Sequence, residues 1–133
     1  MAATKKFHCV YELSYHFVFV TKYRRAVFGP DELDELGKIW RGLLADWDGE
    51  LLEFNGEADH VHLLVRLPPS AAVSVVANNL KTVSSRLLRT RYPAVKRHYR
   101  EAVLWSRSYF VASCGGAPLD IIKQYIQSQN RPA

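Results

Sequence analysis

The chain has 133 residues, 48% of them hydrophobic, which is the size and apolar content of one compact domain with a real core and calls for no second one. Lys and Arg number 18 against 13 Asp and Glu, and the net charge of +5 favours a polyanionic partner. The two cysteines, Cys9 and Cys114, lack CxxC spacing, so neither a disulfide framework nor a zinc knuckle is indicated; no apolar run reaches the roughly 20 residues that span a bilayer, so a soluble cytoplasmic protein without a signal peptide is expected.

In chain order, Leu13 to Val20 (LSYHFVFV) is dense in aromatic and β-branched residues and predicts a first strand, ending at the basic cluster TKYRR. Pro30, Asp31 and Glu32 open an amphipathic helix in which Leu33, Leu36, Trp40, Leu43 and Trp47 recur at helical spacing until Asp48 and Gly49. Glu50 to Asn55 reads as a second strand, joined by the loop GEAD to a third, Asp59 to Leu67, as a hairpin. Pro68 and Pro69 stop it. Ser70 is the expected cap of a long helix with Val73, Val76, Leu80, Val83 and Leu87 as its buried stripe, ending by Tyr92 because Pro93 follows. Val103 to Ser113 supplies a fourth strand, Gly115 and Gly116 break it, and Pro118 with Asp120 opens a last helix through about Gln129. The order β-α-β-β-α-β, then α, predicts an α+β ferredoxin-like sandwich with an antiparallel sheet, and residues 1–133 form one domain.

The third strand carries the chemistry. Alternation puts Val61, Leu63, Val65 and Leu67 on one face and His60, His62, Leu64 and Arg66 on the other, so the apolar face packs on the helices and both histidines project from the open side. Their Cβ atoms lie roughly 6.6 Å apart, two strand rises, close enough for both imidazoles to lean toward one divalent ion. The same spacing also occurs in strands that hold no ion. In the last helix Leu119, Ile122 and Ile126 form a packing stripe, while Tyr125 and Gln129, four residues apart, project together from an adjoining face. A tyrosine is a usable nucleophile once its proton is helped away, and a glutamine carbonyl can ligate a metal. An aromatic lid and a solvated amide are the plainer readings of the same pair.

Taken together, YHFVFVTKYRR (Tyr15–Arg25), DHVHLLVRLPP (Asp59–Pro69), LKTVSSRLL (Leu80–Leu88), LWSRSYF (Leu104–Phe110) and GGAPLDIIKQYIQSQ (Gly115–Gln129) resemble the single-tyrosine HUH transposases of small insertion sequences, the TnpA-like group. HUH denotes His, hydrophobic, His, here His60-Val61-His62. The chain departs from the usual pattern in GEADHVH, where a Met-Pro ordinarily precedes Asp-His, and at Thr82 and Val83, where Gly and a polar residue are more usual. The resemblance implies an enzyme that cuts and rejoins single-stranded DNA bearing a hairpin at the ends of its element. It implies Mg²⁺ or Mn²⁺ held by His60, His62 and Gln129, and Tyr125 as the nucleophile that leaves a 5′-phosphotyrosine and a free 3′-hydroxyl. It also implies a homodimer in which the tyrosine helix of one subunit completes the site of the other, with Gly115 and Gly116 as a hinge.

Mixed imidazole and oxygen ligation suits Mn²⁺ better than Mg²⁺. A phosphotyrosine conserves the energy of the broken bond, so no nucleotide cofactor is expected, in keeping with the lack of a GxxxxGK[ST] loop. Asp59 is placed either to orient the His60 imidazole or to cap the hairpin turn. DNA contact is expected from Asn78, Lys81, Ser85 and Arg89 on the polar face of the second helix, with Arg86 alongside, and from Lys22, Arg24, Arg25 and Arg107. His8, His16 and His98 read as structural or surface residues, and Trp105 as core. Two other readings stand beside this one: a replication-type or host-domesticated HUH nickase, and a non-catalytic ferredoxin-like nucleic-acid-binding module, although the K/R-G-F/Y-G/A-F-V signature of RNA-binding sheets is missing.

Overall fold

The computed structural model describes residues 4–6, 9–11 and 13–114. A short ribbon pairs β1 (Thr4–Lys6) with β2 (Cys9–Tyr11), an element the sequence did not signal. The main sheet is antiparallel, in the order β4 (Glu50–Gly56), β5 (His60–Arg66), β3 (Ser14–Thr21), β6 (Trp105–Ser113). The two helices α1 (Pro30–Asp46) and α2 (Val73–Arg91) pack on one face of it, so the expected split β-α-β-β-α-β sandwich is the one observed. A short helix, α3 (Pro93–Lys96), follows α2. The expected terminal helix, with Gly115, Gly116, Tyr125 and Gln129, lies outside the described residues. Among the described residues no helix is long and apolar enough to cross a membrane.

Local chemistry explains the boundaries. Pro30 occupies the first position of α1, where its missing N–H costs nothing, and the Glu32 carboxylate accepts from the Gly29 N–H at 2.8 Å. Asp48, with φ of 59°, turns the chain out of α1, and the Gly49 N–H donates to the Leu44 carbonyl at 2.7 Å. Alternation in β3 and β5 sends Phe17, Phe19, Val61, Leu63 and Val65 into a core with Leu36, Trp40 and Leu44 of α1 and Val76, Leu80 and Leu88 of α2. Trp105 is 6% exposed and stands in that core as expected.

Three expectations are corrected. Ser70 does not cap α2: the Ala71 N–H donates to the Pro68 carbonyl, closing a turn over the prolines, and the helix starts at Val73 behind Ala72. The buried stripe of α2 is Val76, Ala77, Leu80, Ser84 and Leu88, whereas Val73, Val83 and Leu87 are half-buried. A buried serine is tolerated there because its hydroxyl accepts from the Trp105 indole N–H at 3.0 Å and donates to the Lys81 carbonyl at 3.1 Å. Finally, the histidine face of the sheet is not open, since His60, His62 and Leu64 are exposed by 0%, 2% and 0%.

Candidate metal and nucleic-acid site

The register of β3 against β5 places Val20 opposite His60, Val18 opposite His62 and His16 opposite Leu64, all on the face turned away from the helices. The His60 and His62 rings meet edge to face, with centroids 5.4 Å apart. The Nε2 atoms of both are buried and lack a hydrogen-bond partner among the described residues. A buried polar atom without a partner is costly, so two at neighbouring positions fit a shared ligand.

What lies behind each ring sharpens the point. The Nδ1–H of His60 donates to Asp59 Oδ1 at 2.8 Å, which leaves the lone pair on Nε2. The Asp59 backbone carbonyl is fixed in turn by the Thr21 N–H at 3.0 Å, and Arg24 approaches Asp59 Oδ2 at 3.5 Å. The Asp59 carboxylate thus lies between the His60 ring and Arg24. The Nδ1 of His62 lies 3.0 Å from Nε2 of His16, with the two rings stacked at 5.2 Å. With His62 as the donor of that bond, its Nε2 also carries a lone pair. Burial, with His16 and His60 nearby, pulls the His62 pKa down to about 4, so the ring is neutral at pH 7 and able to ligate. Burial lowers the His16 pKa as well.

His16 is thus not the bystander expected from sequence. Strand alternation alone puts it on the parity of Val18 and Val20, but its link to the histidine pair requires the β3–β5 register. No group of three His, Cys, Asp or Glu able to hold a metal occurs among the described residues. Tyr125 and Gln129, assigned as nucleophile and further ligand, lie outside them.

The candidate DNA-contacting residues fall in two places. Asn78, Lys81, Ser85 and Arg89 of α2 face Arg107 of β6 across a groove of about 380 Å³. Lys81 is committed within it: its ammonium donates to the Ser106 and Arg107 carbonyls at 2.8 and 3.2 Å and lies 5.2 Å from the Tyr109 ring, and burial lowers its pKa. Arg89 donates to the Ser85 hydroxyl at 3.2 Å. Arg86 is exposed and lies outside the groove. Lys22, Arg24 and Arg25 form a tight turn after β3, with the Arg25 guanidinium donating to the His98 carbonyl. Because the Lys22 N–H donates to the Leu104 carbonyl at 2.9 Å, this turn is tied to one wall of the groove, at the end of the sheet where His60 begins β5.

Fold and site together define an α+β protein with two helices on one face of a four-stranded antiparallel sheet and a buried imidazole pair on the other. Residues 9–129 match the family of IS200-like transposases, and the chain belongs to that family. It is 34% identical over 122 residues to the transposase for insertion sequence element IS200 of Salmonella typhimurium, covering 92% of this chain and 80% of that one. It is 32% identical over 121 residues to the ISDra2 transposase TnpA of Deinococcus radiodurans, covering 91% and 86%. A crystal structure of a Deinococcus radiodurans R1 protein assigned as a transposase superposes with a TM-score of 0.76 at 30% identity, over 97% of this chain and 99% of that one. A REP-associated tyrosine transposase bound to a REP hairpin shares the fold, with a TM-score of 0.62 at 11% identity over 92% and 68% of the chains.

Proposed function

We propose that this transposase cuts and rejoins single-stranded DNA at the ends of an insertion element, with Tyr125 as nucleophile and with His60, His62 and Gln129 as ligands of a divalent cation. The observation that carries the reading is the pair of buried Nε2 atoms on His60 and His62 that lack a partner among the described residues, each on a ring whose other nitrogen is already engaged. His60, His62 and Gln129 would hold Mg²⁺ or Mn²⁺, whose chemistry there would be to polarise the phosphoryl group.

The chain's own groups do the rest. The Tyr125 oxygen forms a bond to the scissile phosphorus as the bond from phosphorus to the 3′-oxygen breaks, and on balance the phenol proton passes to the departing 3′-hydroxyl. One phosphodiester replaces another, so a returning 3′-hydroxyl can reverse the step without a nucleoside triphosphate. Asp59 and His16 hold the two imidazoles in place. Groove residues Asn78, Ser85, Arg89 and Arg107, and the turn cations Lys22, Arg24 and Arg25, take the phosphates of the strand, a contact that weakens with salt. A homodimer supplies the second tyrosine segment. The insertion-element names of two relatives support this substrate class over a host-domesticated or replication-type nickase.

The test is incubation of the protein with Mn²⁺ and a hairpin-bearing single strand taken from the DNA flanking its gene. A slow-migrating covalent DNA–protein adduct is expected, absent for Tyr125→Phe and for His60→Ala. An adduct that persists in Tyr125→Phe removes the assigned nucleophile, and tight binding with no adduct under any condition supports the non-catalytic module instead.

A further inference from the structure

Tyr23 holds a backbone conformation that its residue type disfavours. Its φ is 59° and that of Arg24 is 52°, the left-handed region that residues with a Cβ seldom enter. The neighbours leave the turn little choice. The Lys22 N–H donates to the Leu104 carbonyl at 2.9 Å, and the Arg25 N–H returns to the Lys22 carbonyl at 3.4 Å. That same carbonyl accepts from the Tyr99 hydroxyl at 2.6 Å, while the Thr21 hydroxyl donates to the Arg25 carbonyl at 2.7 Å. Strain that the surroundings over-determine in this way points to a side chain being aimed.

The side chain aimed is an aromatic ring, 68% exposed. Cations stand over the ring, Lys22 Nζ at 5.6 Å and Arg25 Cζ at 5.2 Å from its centroid, and the Tyr99 ring, itself 5.1 Å from Arg25 Cζ, lies tilted 6.5 Å away; the exposed remainder of the Tyr23 ring is the face a base can reach. The turn adjoins the imidazole pair, because the Thr21 N–H bonds the Asp59 carbonyl and Arg24 approaches the Asp59 carboxylate that holds His60. A flat, exposed ring among positive charges offers what an unpaired nucleobase and its phosphates need, whereas bases within a duplex have both faces already covered.

We propose that Tyr23 is a stacking platform for one unpaired base of the DNA strand, holding that strand beside His60 and His62; this rests on the single-stranded reading above. Stacking uses the π-face alone, so the contact is blind to base identity and indifferent to the phenol hydroxyl.

The test compares Tyr23→Gly with Tyr23→Phe. Glycine accepts the left-handed turn without strain, so the Gly variant should unfold no earlier than wild type, which separates loss of binding from loss of fold. The probe is a hairpin with a single-stranded flank from beside the gene, carrying 2-aminopurine at successive flank positions. One position should be quenched on binding wild type and Tyr23→Phe, and bright with Tyr23→Gly, whose affinity falls by about tenfold. If wild type binds this probe and Tyr23→Gly matches it in affinity and quenching, the platform is refuted while the single-stranded reading stands. If wild type fails to bind the single-stranded flank at all, both fall.

Discussion

At the scale of single residues, the informative groups are those behind the imidazoles. A ligating histidine is held in tautomer and orientation by a partner for its other ring nitrogen, and here Asp59 engages that nitrogen of His60 while His16 engages that of His62. Replacing His16 with Phe keeps an aromatic ring against His62 but removes the acceptor for its Nδ1–H. We therefore expect His16→Phe to weaken Mn²⁺ binding by about 10–100-fold, the usual cost of losing a group that orients a ligand, and His16→Gln, which retains an acceptor, to recover part of it. Titration of free Mn²⁺ by electron paramagnetic resonance reads this without any DNA or turnover. Unchanged affinity in His16→Phe would mean that the His16–His62 bond does not hold His62 for the ion.

Among the elements, the α1–β4 junction fixes how the hairpin carrying His60 and His62 sits against the core. A Cβ added at Gly49 would lie 2.5 Å from the Arg66 carbonyl oxygen and 3.3 Å from that of Leu44, both backbone atoms that cannot rotate away. Gly49→Ala should therefore destabilise the fold by about 1–3 kcal/mol, as overpacking of tight sites does. Gly42, inside α1 with nothing within 4 Å of its added Cβ, is the control: Gly42→Ala should stabilise by about 0.5–1 kcal/mol, because alanine loses less backbone freedom in a helix. Urea unfolding of the two variants measures both, and a neutral Gly49→Ala would contradict the junction. Elements of this kind were readable from sequence where the signal was local: Pro30 started α1, Pro93 ended α2, and alternation separated the two faces of β5. The orientation of α2 was not, because counting apolar residues passes over Ser84, whose burial depends on an indole contributed by Trp105, 21 residues away. The His16 partnership was hidden for the same reason, since a pairing between strands 46 residues apart leaves no mark on either segment.

For the molecule as a whole, the question is whether one chain can finish its own site. The described residues bring two imidazoles together, with Asp59 and His16 behind them, but no trio of His, Cys, Asp or Glu able to hold a metal. In the proposed mechanism the remaining ligand, Gln129, and the nucleophile, Tyr125, follow Gly115 and Gly116 in sequence, and the proposed dimer would receive that segment from one subunit or the other. Such an exchange separates the two halves of the chemistry genetically. A chain bearing His60→Ala keeps its tyrosine and a chain bearing Tyr125→Phe keeps its imidazoles, and each alone should fail to cleave the hairpin strand. Co-expressed under two affinity tags and purified through both, the mixed dimer has one intact site if the segments are exchanged, because the imidazoles of the second chain meet the tyrosine of the first. Its other site is doubly defective. If each segment instead serves its own subunit, both sites of the mixed dimer are defective, and cleavage stays at the level of the parents. Restored cleavage in the doubly tagged species assigns the exchange, and its absence, with Mn²⁺ binding intact in the Tyr125→Phe parent, places a whole active site within one chain.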